Sequence, residues 1–394
     1  MVKTKNRLHF LDALRAFAIL MMLQGHFVHA LLAKEYHGSD HIIYTLWEYC
    51  RGVTAPVFFT ITGFIFIFLL VKQQDVGFKN PRVSIGIRRA LKVILWGYLL
   101  RLSMFSIFNG TLNPSFFYID VLQCIGLSLL LLIGIYLMYY RLGVNWFQYT
   151  LLVIGIVVFF LEPIYDNQPL EFLIQPISNY FTKANGSIFT IFPWFGYACF
   201  GGFLAIAFTK YEADKRVYSI GVLLLLVFGL VLIFYSSPFF EFMHQVTRLQ
   251  VFRSVGSNNY LFMRLGDVFI VFSVFILIRK YIVNKTISKI GSKTLSVYII
   301  HFFVLYGSWF GLGLTAIFYH ALTPIQSFIG ALLFVFGICT LVLNYYKYEE
   351  ELKLRLQRLF VSINKRIDRI LPDYVISARK TVMRRYRKLL YIRK

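Results

Sequence analysis

The chain has 394 residues, of which 58% are hydrophobic and only 15% are charged, and its mean hydropathy is +0.66. These values exclude an ordinary soluble domain, in which about a quarter of the residues are charged. Apolar runs of membrane-spanning length recur along nearly the whole sequence, and they are unbroken rather than alternating, which excludes a transmembrane β-barrel. The composition therefore predicts an all-α polytopic membrane protein.

About ten transmembrane helices are predicted, because each crossing needs about twenty predominantly apolar residues. In chain order the predicted spans are 10–33, 53–72, 88–109, 117–140, 146–163, 188–209, 217–236, 259–279, 293–314 and 324–345. Residues 1–345 are predicted to form one membrane domain. Residues 346–394 are predicted to form a basic cytoplasmic tail with an amphipathic helix along the membrane surface.

The formal net charge of +23 comes from 41 basic and 18 acidic residues. The cations collect before the first predicted span, after the second, sixth and eighth spans, and in the tail, which by the positive-inside rule makes both termini cytoplasmic. The expected partner of this charge is anionic membrane lipid rather than nucleic acid, since no nucleic-acid recognition module accompanies it. A bacterial inner (plasma) membrane is the expected location.

The first predicted span, "LDALRAFAILMMLQGH" over residues 11–26, contains Arg15 and His26. At 100° per residue these two side chains are about 20° apart around the helix and roughly 16 Å apart along it. Asp12, Ile19, Met22 and His29 fall close to the same stripe. Ionisable groups inside a membrane are costly and are usually functional, and a histidine suits general-base chemistry near neutral pH.

Structural explanations for the same residues stay open. Arg15 could extend its side chain to the interface and pair with Asp12 three residues earlier. His26 could form a hydrogen bond between helices. The third span begins with Arg88, Arg89 and Lys92, which could also reach the interface, being within one turn of its cytoplasmic end.

The first-span sequence resembles the transmembrane acyltransferase superfamily, on the Arg–ten residues–His spacing of Arg15 and His26. That superfamily includes the acyltransferase-3 family and the heparan-α-glucosaminide N-acetyltransferase-like family. One departure is Ala16, where these families usually have glycine. "FYIDVLQCIGLSLLLL", which contains Asp120 and Gln123, and "ISKIGSKTLSVYIIHFFVL", which contains His301, resemble later spans of the same group.

The resemblance implies an integral-membrane acyltransferase and candidate residues for each step. The implied catalytic candidates are His26, its rival His37 in the loop after the first span, and Asp12. The implied residues for binding the donor are Arg15, Arg88, Arg89, Lys92 and Gln123. The donor would be acetyl-coenzyme A, or another acyl-coenzyme A, on the cytoplasmic side, and the acceptor a hydroxyl or amine of an extracytoplasmic glycan.

Two other functions remain open at this stage, a transporter or flippase of an anionic or lipid-linked molecule and a non-catalytic membrane scaffold. No metal is expected, because the four cysteines are scattered without a CxxC pair or metal-ligand spacing. The sequence leaves four points open: the acceptor, the acyl chain, whether transfer is direct or passes through an acyl-histidine intermediate, and the oligomeric state.

The charge distribution makes a testable prediction of orientation. A reporter fused to the C-terminus should report a cytoplasmic location, and a reporter inserted within residues 164–187 should report an extracytoplasmic one, because cations favour the cytoplasmic side. Enzymatic reporters active on only one side of the membrane measure this directly. The opposite pair of readings would reverse the orientation and, with it, the direction of acyl transfer.

Overall fold

The fold is that of a computed structural model, which describes residues 8–348 apart from 166, 167, 169, 171 and 215, with scattered positions from 351 to 363. Within these residues the regular elements are helices, and no strand forms beyond two isolated β-bridges. The predicted all-α class is confirmed.

The α-helices of the described residues are α1 (His9–Leu31), α2 (Ile42–Gly52), α3 (Thr54–Val71), α4 (Pro81–Leu100), α5 (Met104–Phe108), α6 (Val121–Tyr139), α7 (Val144–Phe160), α8 (Glu162–Tyr165), α9 (Gln175–Ser178), α10 (Ile191–Tyr211), α11 (Val217–Thr247), α12 (Gln250–Ser257), α13 (Tyr260–Leu277), α14 (Lys285–Ser292), α15 (Thr294–Tyr306), α16 (Thr315–Phe318) and α17 (Pro324–Lys347). Short 3₁₀ helices lie at Lys34–Tyr36, Gly77–Lys79 and Pro114–Phe117.

The described residues contain seven segments that are long and apolar enough to cross a bilayer. They are His9–Leu31, Ile42–Val71, Pro114–Tyr139, Ile191–Tyr211, Val217–Thr247, Tyr260–Leu277 and Pro324–Tyr348. Helices α7 and α15 are apolar but shorter, and α4 is long enough but carries four cations. The protein is therefore an integral membrane protein, while ten crossings and cytoplasmic termini stay predictions.

The third predicted span, at 88–109, differs most from the structure, because α4 both begins and ends earlier. Asn80 caps α4 by accepting a hydrogen bond from the Arg82 backbone amide at 2.9 Å, and Pro81 occupies the first helical turn. Proline is well suited to that position because its missing N–H would be unpaired there anyway. The cationic residues of α4 consequently lie within its middle turns rather than at its start.

Helices α3 and α10 pack backbone to backbone through glycine. A Cβ atom on Gly63 would overlap the carbonyl oxygen of Ala198, and one on Gly201 would overlap the carbonyl oxygen of Thr60. Small residues allow this close approach, and in a membrane such packing replaces much of the driving force that water supplies elsewhere. The contact fixes α10 against the face of α3 that does not line the cavity described below.

Helix α1 is held in the same way at its N-terminal end. A Cβ atom on Gly291 of α14 would overlap the backbone of Asp12. Further along, α1 packs against α3, α13 and α15. These contacts surround α1 on several sides and leave its stripe from Arg15 to His29 to face an open space.

The chain divides into two compact units, Met1–Cys339 and Thr340–Lys394. The division falls inside α17, a few residues before the predicted boundary at 345. Most of the predicted basic tail, 346–394, lies outside the described residues. Its amphipathic helix therefore stays a prediction.

The glycine contact predicts a selective loss of stability. Gly201→Ala should lower the free energy of unfolding by about 1–3 kcal/mol, because the added methyl group forces α3 and α10 apart. The matched control is Gly134→Ala in α6, where no heavy atom lies within 4 Å of an added Cβ. Thermal unfolding of the purified protein in detergent measures both variants, and equal melting temperatures would contradict the packing described here.

Candidate functional site

A cavity of about 450 Å³ lies between α1, α3, α4, α6 and α15. Its volume falls within the range of about 300–1,000 Å³ typical of small-molecule sites. Much of its wall is apolar, and the arginine, histidine and aspartate residues that line it are Arg15, His26, His29, Arg51, Arg89 and Asp120. An apolar space with a few converging charged groups is the usual form of a ligand site.

One face of α1 forms a continuous wall of this cavity. Arg15, Ile19, Met22, His26 and His29 all line it, and these are the residues that helical periodicity places on one stripe. Arg15 and His26 are roughly 16 Å apart along the helix axis. The cavity therefore has an Arg15 end and a His26 end.

The Arg15 end contains two cations from different helices. The Arg15 Nη2 atom donates a hydrogen bond to the Thr294 hydroxyl of α15 at 3.0 Å. Arg89 of α4 is exposed and also lines the cavity. Since Trp309, just after α15, donates a hydrogen bond to the Leu99 carbonyl, Arg89 lies about 15 Å back along α4, towards the Arg15 end. This pair of guanidinium groups is suited to phosphate, which arginine binds with two parallel hydrogen bonds.

The other predicted donor-binding cations of α4 point elsewhere. Arg89 and Val93, four residues apart, line the cavity, whereas Arg88 and Lys92 are exposed and are not among its lining residues. Neighbouring positions on a helix differ by about 100° in direction, so Arg88 and Lys92 share an adjoining face.

His26 is the central polar group of the other end. Its Nδ1 atom and the Tyr306 hydroxyl of α15 form a hydrogen bond of 2.7 Å. When Nδ1 carries the proton and donates it to Tyr306, Nε2 holds the free electron pair that a general base needs. The ring of His301, also from α15, lies 5.4 Å from that of His26 between centroids.

Arg51 supplies a cation beside His26 that the sequence did not predict. Its side chain crosses over Gly25, where a Cβ atom would lie 3.0 Å from Arg51 Cγ. The guanidinium group stacks on Trp47 at 5.2 Å and lies 3.7 Å from a Glu48 carboxylate oxygen. The glycine directly before His26 in the sequence therefore makes room for a charge at the His26 end.

Asp120 and Gln123 serve first as the N-terminal capping box of α6. The Asp120 carboxylate also accepts a hydrogen bond from Arg101 Nη2 at 3.1 Å, and it lines the cavity. Gln123 is fully buried against Gly97 of α4 and is not a lining residue. The geometry thus gives Gln123 a structural role in α6, and its predicted contact with a donor stays a prediction.

Two hydrogen-bond donors on the cavity wall have no partner within the described structure. They are the Thr54 hydroxyl at the start of α3 and the Trp194 indole N–H near the start of α10, and both atoms are buried. Buried donors are normally satisfied, because leaving one unpaired is unfavourable. These two atoms are suited to hold an oxygen atom of a bound ligand.

The family described as heparan-α-glucosaminide N-acetyltransferase, catalytic, matches residues 7–246, which is more than half of the chain. The chain belongs to this family. No curated protein matches it. The family match runs from α1 into α11, so it includes His26 and Arg89, whereas the α15 partners Thr294 and Tyr306 lie beyond it.

Membership confirms the resemblance seen in the first span and implies an acetyltransferase of the membrane that acts on glycans. Within the described residues, no group of three or more His, Cys, Asp or Glu side chains is arranged to hold a metal ion. Acetyltransferases of this family use acetyl-coenzyme A as donor. The cations and unpartnered donors of the cavity fit a molecule with phosphates and carbonyl groups.

His37, the rival candidate base, lies outside the cavity lining in the loop after α1. Its ring stacks on Tyr44 at 4.8 Å and lies 5.5 Å from His320 and 6.3 Å from His29. Partial burial, followed by the nearby His320, lowers the pKa of His37 below its usual value. The lowered pKa favours the neutral form of the His37 imidazole.

Asp12 and the pair Arg264–Asp267 lie outside the cavity lining. Asp12 is buried beside α14, roughly 21 Å along α1 from His26, and is not a lining residue. Arg264 bonds Asp267 at 3.1 Å and lies 4.0 Å above the ring of Tyr49, whose hydroxyl also donates to Asp267. This cluster joins α2 to α13. The catalytic role predicted for Asp12 stays a prediction.

Proposed function

We propose that the protein transfers an acetyl group from acetyl-coenzyme A, bound from the cytoplasmic side, to an amine or hydroxyl of an extracytoplasmic glycan. The observation that carries this proposal is one cavity with two arginines at one end and a hydrogen-bonded histidine at the other. Family membership supports acetyl as the transferred group and a glycan as the acceptor. The predicted orientation supports the direction of transfer.

The donor would lie along the stripe of α1. Arg15 and Arg89 would bind its phosphates, since a guanidinium group matches phosphate geometry. The narrow arm that ends in the thioester would extend past Ile19 and Met22, which are apolar lining residues. That arrangement would bring the thioester to the His26 end, because the arm is long enough to cover the roughly 16 Å between Arg15 and His26.

His26 would act as the general base at the thioester. The acceptor atom attacks the carbonyl carbon, its proton passes to His26 Nε2, the carbon–sulfur bond breaks, and the proton then moves to the departing thiolate. Trp194 and Thr54 would donate hydrogen bonds to the carbonyl oxygen as negative charge develops on it. Arg51 would add positive charge at the same end. The alternative base, His37, would act on an acceptor held in the outer loop.

The first prediction of this mechanism concerns the base. His26→Gln should reduce acetyl transfer by about 10²–10⁴-fold, the usual loss when a general base is removed. Glutamine can keep the hydrogen bond to Tyr306 but cannot take up the proton. Release of the coenzyme A thiol, measured with acetyl-coenzyme A and a simple α-glucosaminide as probe acceptor, gives the rate.

His37→Gln is the matched control, because His37 is the other candidate histidine and lies outside the cavity lining. It should retain most of the activity. Activity lost with His37→Gln and kept with His26→Gln would assign the base to the outer loop. Activity kept in both variants would contradict catalysis by either histidine.

The second prediction concerns the donor site. Arg89→Ala should weaken coenzyme A binding about tenfold or more, because a hydrogen bond to a charged group contributes about 1.5–3 kcal/mol. The increase in melting temperature caused by millimolar coenzyme A measures the binding, since a ligand of the native state raises its stability. Arg88→Ala, one position along the same helix and away from the cavity, should leave that increase nearly unchanged.

Equal effects of the two arginine variants would show that α4 attracts coenzyme A only through its general positive charge. Lys92→Ala should behave like Arg88→Ala, since the two residues share a face. A wild-type protein whose melting temperature does not respond to coenzyme A at all would contradict the donor site.

A further inference from the structure

His301 is an ionisable residue that neither the mechanism above nor the family match, which ends at residue 246, uses. It lies in α15 and is fully buried. Its ring meets that of His26 edge to face, at 5.4 Å between centroids and 64° between planes, and the ring of Tyr298 lies 4.8 Å away.

Neither nitrogen of His301 has a hydrogen-bond partner of acceptable geometry among the described residues. The backbone carbonyl groups of Val297 and Tyr298 lie near the ring, but they do not satisfy it. Burying two unpaired polar atoms is unfavourable, and an apolar ring of similar size would fill the same space without that penalty. Packing alone therefore does not explain a histidine at this position.

The short distance between the two imidazole rings makes the protonation of each depend on the other. Two like charges in contact inside a poorly solvated interior cannot both form, as for carboxylate pairs that share one proton. The pair of His26 and His301 therefore holds at most one proton. When His26 is protonated, His301 is neutral, and its polar ring lies against the charged one at 5.4 Å between centroids.

We propose that His301 is a positioning residue for His26, which holds its imidazole ring in place and stabilises its protonated form during acetyl transfer. The inference rests on the proposed function, since it needs His26 to be the base. The proton comes from the acceptor, resides on His26 while the carbon–sulfur bond breaks, and leaves with the thiolate. No proton is gained or lost by the pair in a complete cycle.

Other charged or titratable groups also face His26. Tyr306 of α15 bonds its Nδ1 atom, Arg51 lies beside it from α2, Asp120 faces it from α6, and His29 lies one turn further along α1. Asp120 is in turn paired with Arg101, which directly follows α4. These groups are the same in the wild-type protein and in variants of His301, so a change in the pH profile between them reports on His301.

The test compares His301→Phe, which keeps a ring and removes both nitrogens, with His301→Gln, which keeps a polar side chain whose amide dipole can stabilise a neighbouring positive charge. Thiol release is measured with acetyl-coenzyme A and a simple α-glucosaminide over a series of pH values. His301→Phe should lower kcat by about 10–100-fold, a smaller loss than the roughly 10²–10⁴-fold expected when the base itself is removed. The KM for acetyl-coenzyme A should stay unchanged.

The pH profile gives a readout that packing does not affect. Activity requires unprotonated His26 and is lost as the pH falls. Without His301 the protonated form of His26 has less support, so the pH of half-maximal activity should move lower in His301→Phe. His301→Gln should retain more activity than His301→Phe and should show a smaller movement.

Val297→Ala is the matched control, because Val297 is fully buried in the same helix and does not line the cavity. It should lower the melting temperature without moving the pH profile. A His301→Phe protein with wild-type kcat and pH profile would overturn the inference, as would equal losses in both His301 variants explained by lower melting temperatures. A wild-type protein that transfers no acetyl group would instead refute the proposed function.

Discussion

The hydrogen bond between His26 and Tyr306 joins α1 to α15 at the end of the cavity where chemistry is proposed. An ionisable group inside a membrane needs such a partner, since lipid offers none. The same requirement is met around the cavity by Arg15 with Thr294 and by Arg101 with Asp120. These bonds each join different helices, so the polar groups that could perform catalysis also hold the bundle in register.

The cavity exists because other helix pairs pack very closely. Glycine brings α3 against α10 and α14 against the start of α1, which fixes these helices by their backbones. The stripe of α1 from Arg15 to His29 then faces a space rather than a neighbouring helix. A space of this kind can admit a donor from one end and expose its reactive group at the other, which is what transfer across a membrane demands.

Much of this arrangement can be predicted from the sequence, and the parts that cannot be predicted have physical causes. Helical periodicity predicts the shared face of Arg15 and His26, and composition predicts the all-α class. Two capping signals are present in the sequence. Asn80–Pro81 indicates that α4 begins at residue 81, and Asp120–Gln123 indicates that Gln123 belongs to the capping box of α6. The sequence does not predict the residues that contact α1, because Tyr306 is 280 positions from His26 and only tertiary packing brings the two together.

The central claim is that one cavity positions the thioester of coenzyme A at His26. The most direct measurement is an experimental structure of the protein with a non-hydrolysable thioether analogue of acetyl-coenzyme A. The account predicts phosphates at Arg15 and Arg89 and the analogue's sulfur and carbonyl within hydrogen-bonding reach of His26 and Trp194. An analogue whose sulfur lies at His37, or whose phosphates lie at the His26 end of the cavity, would contradict it.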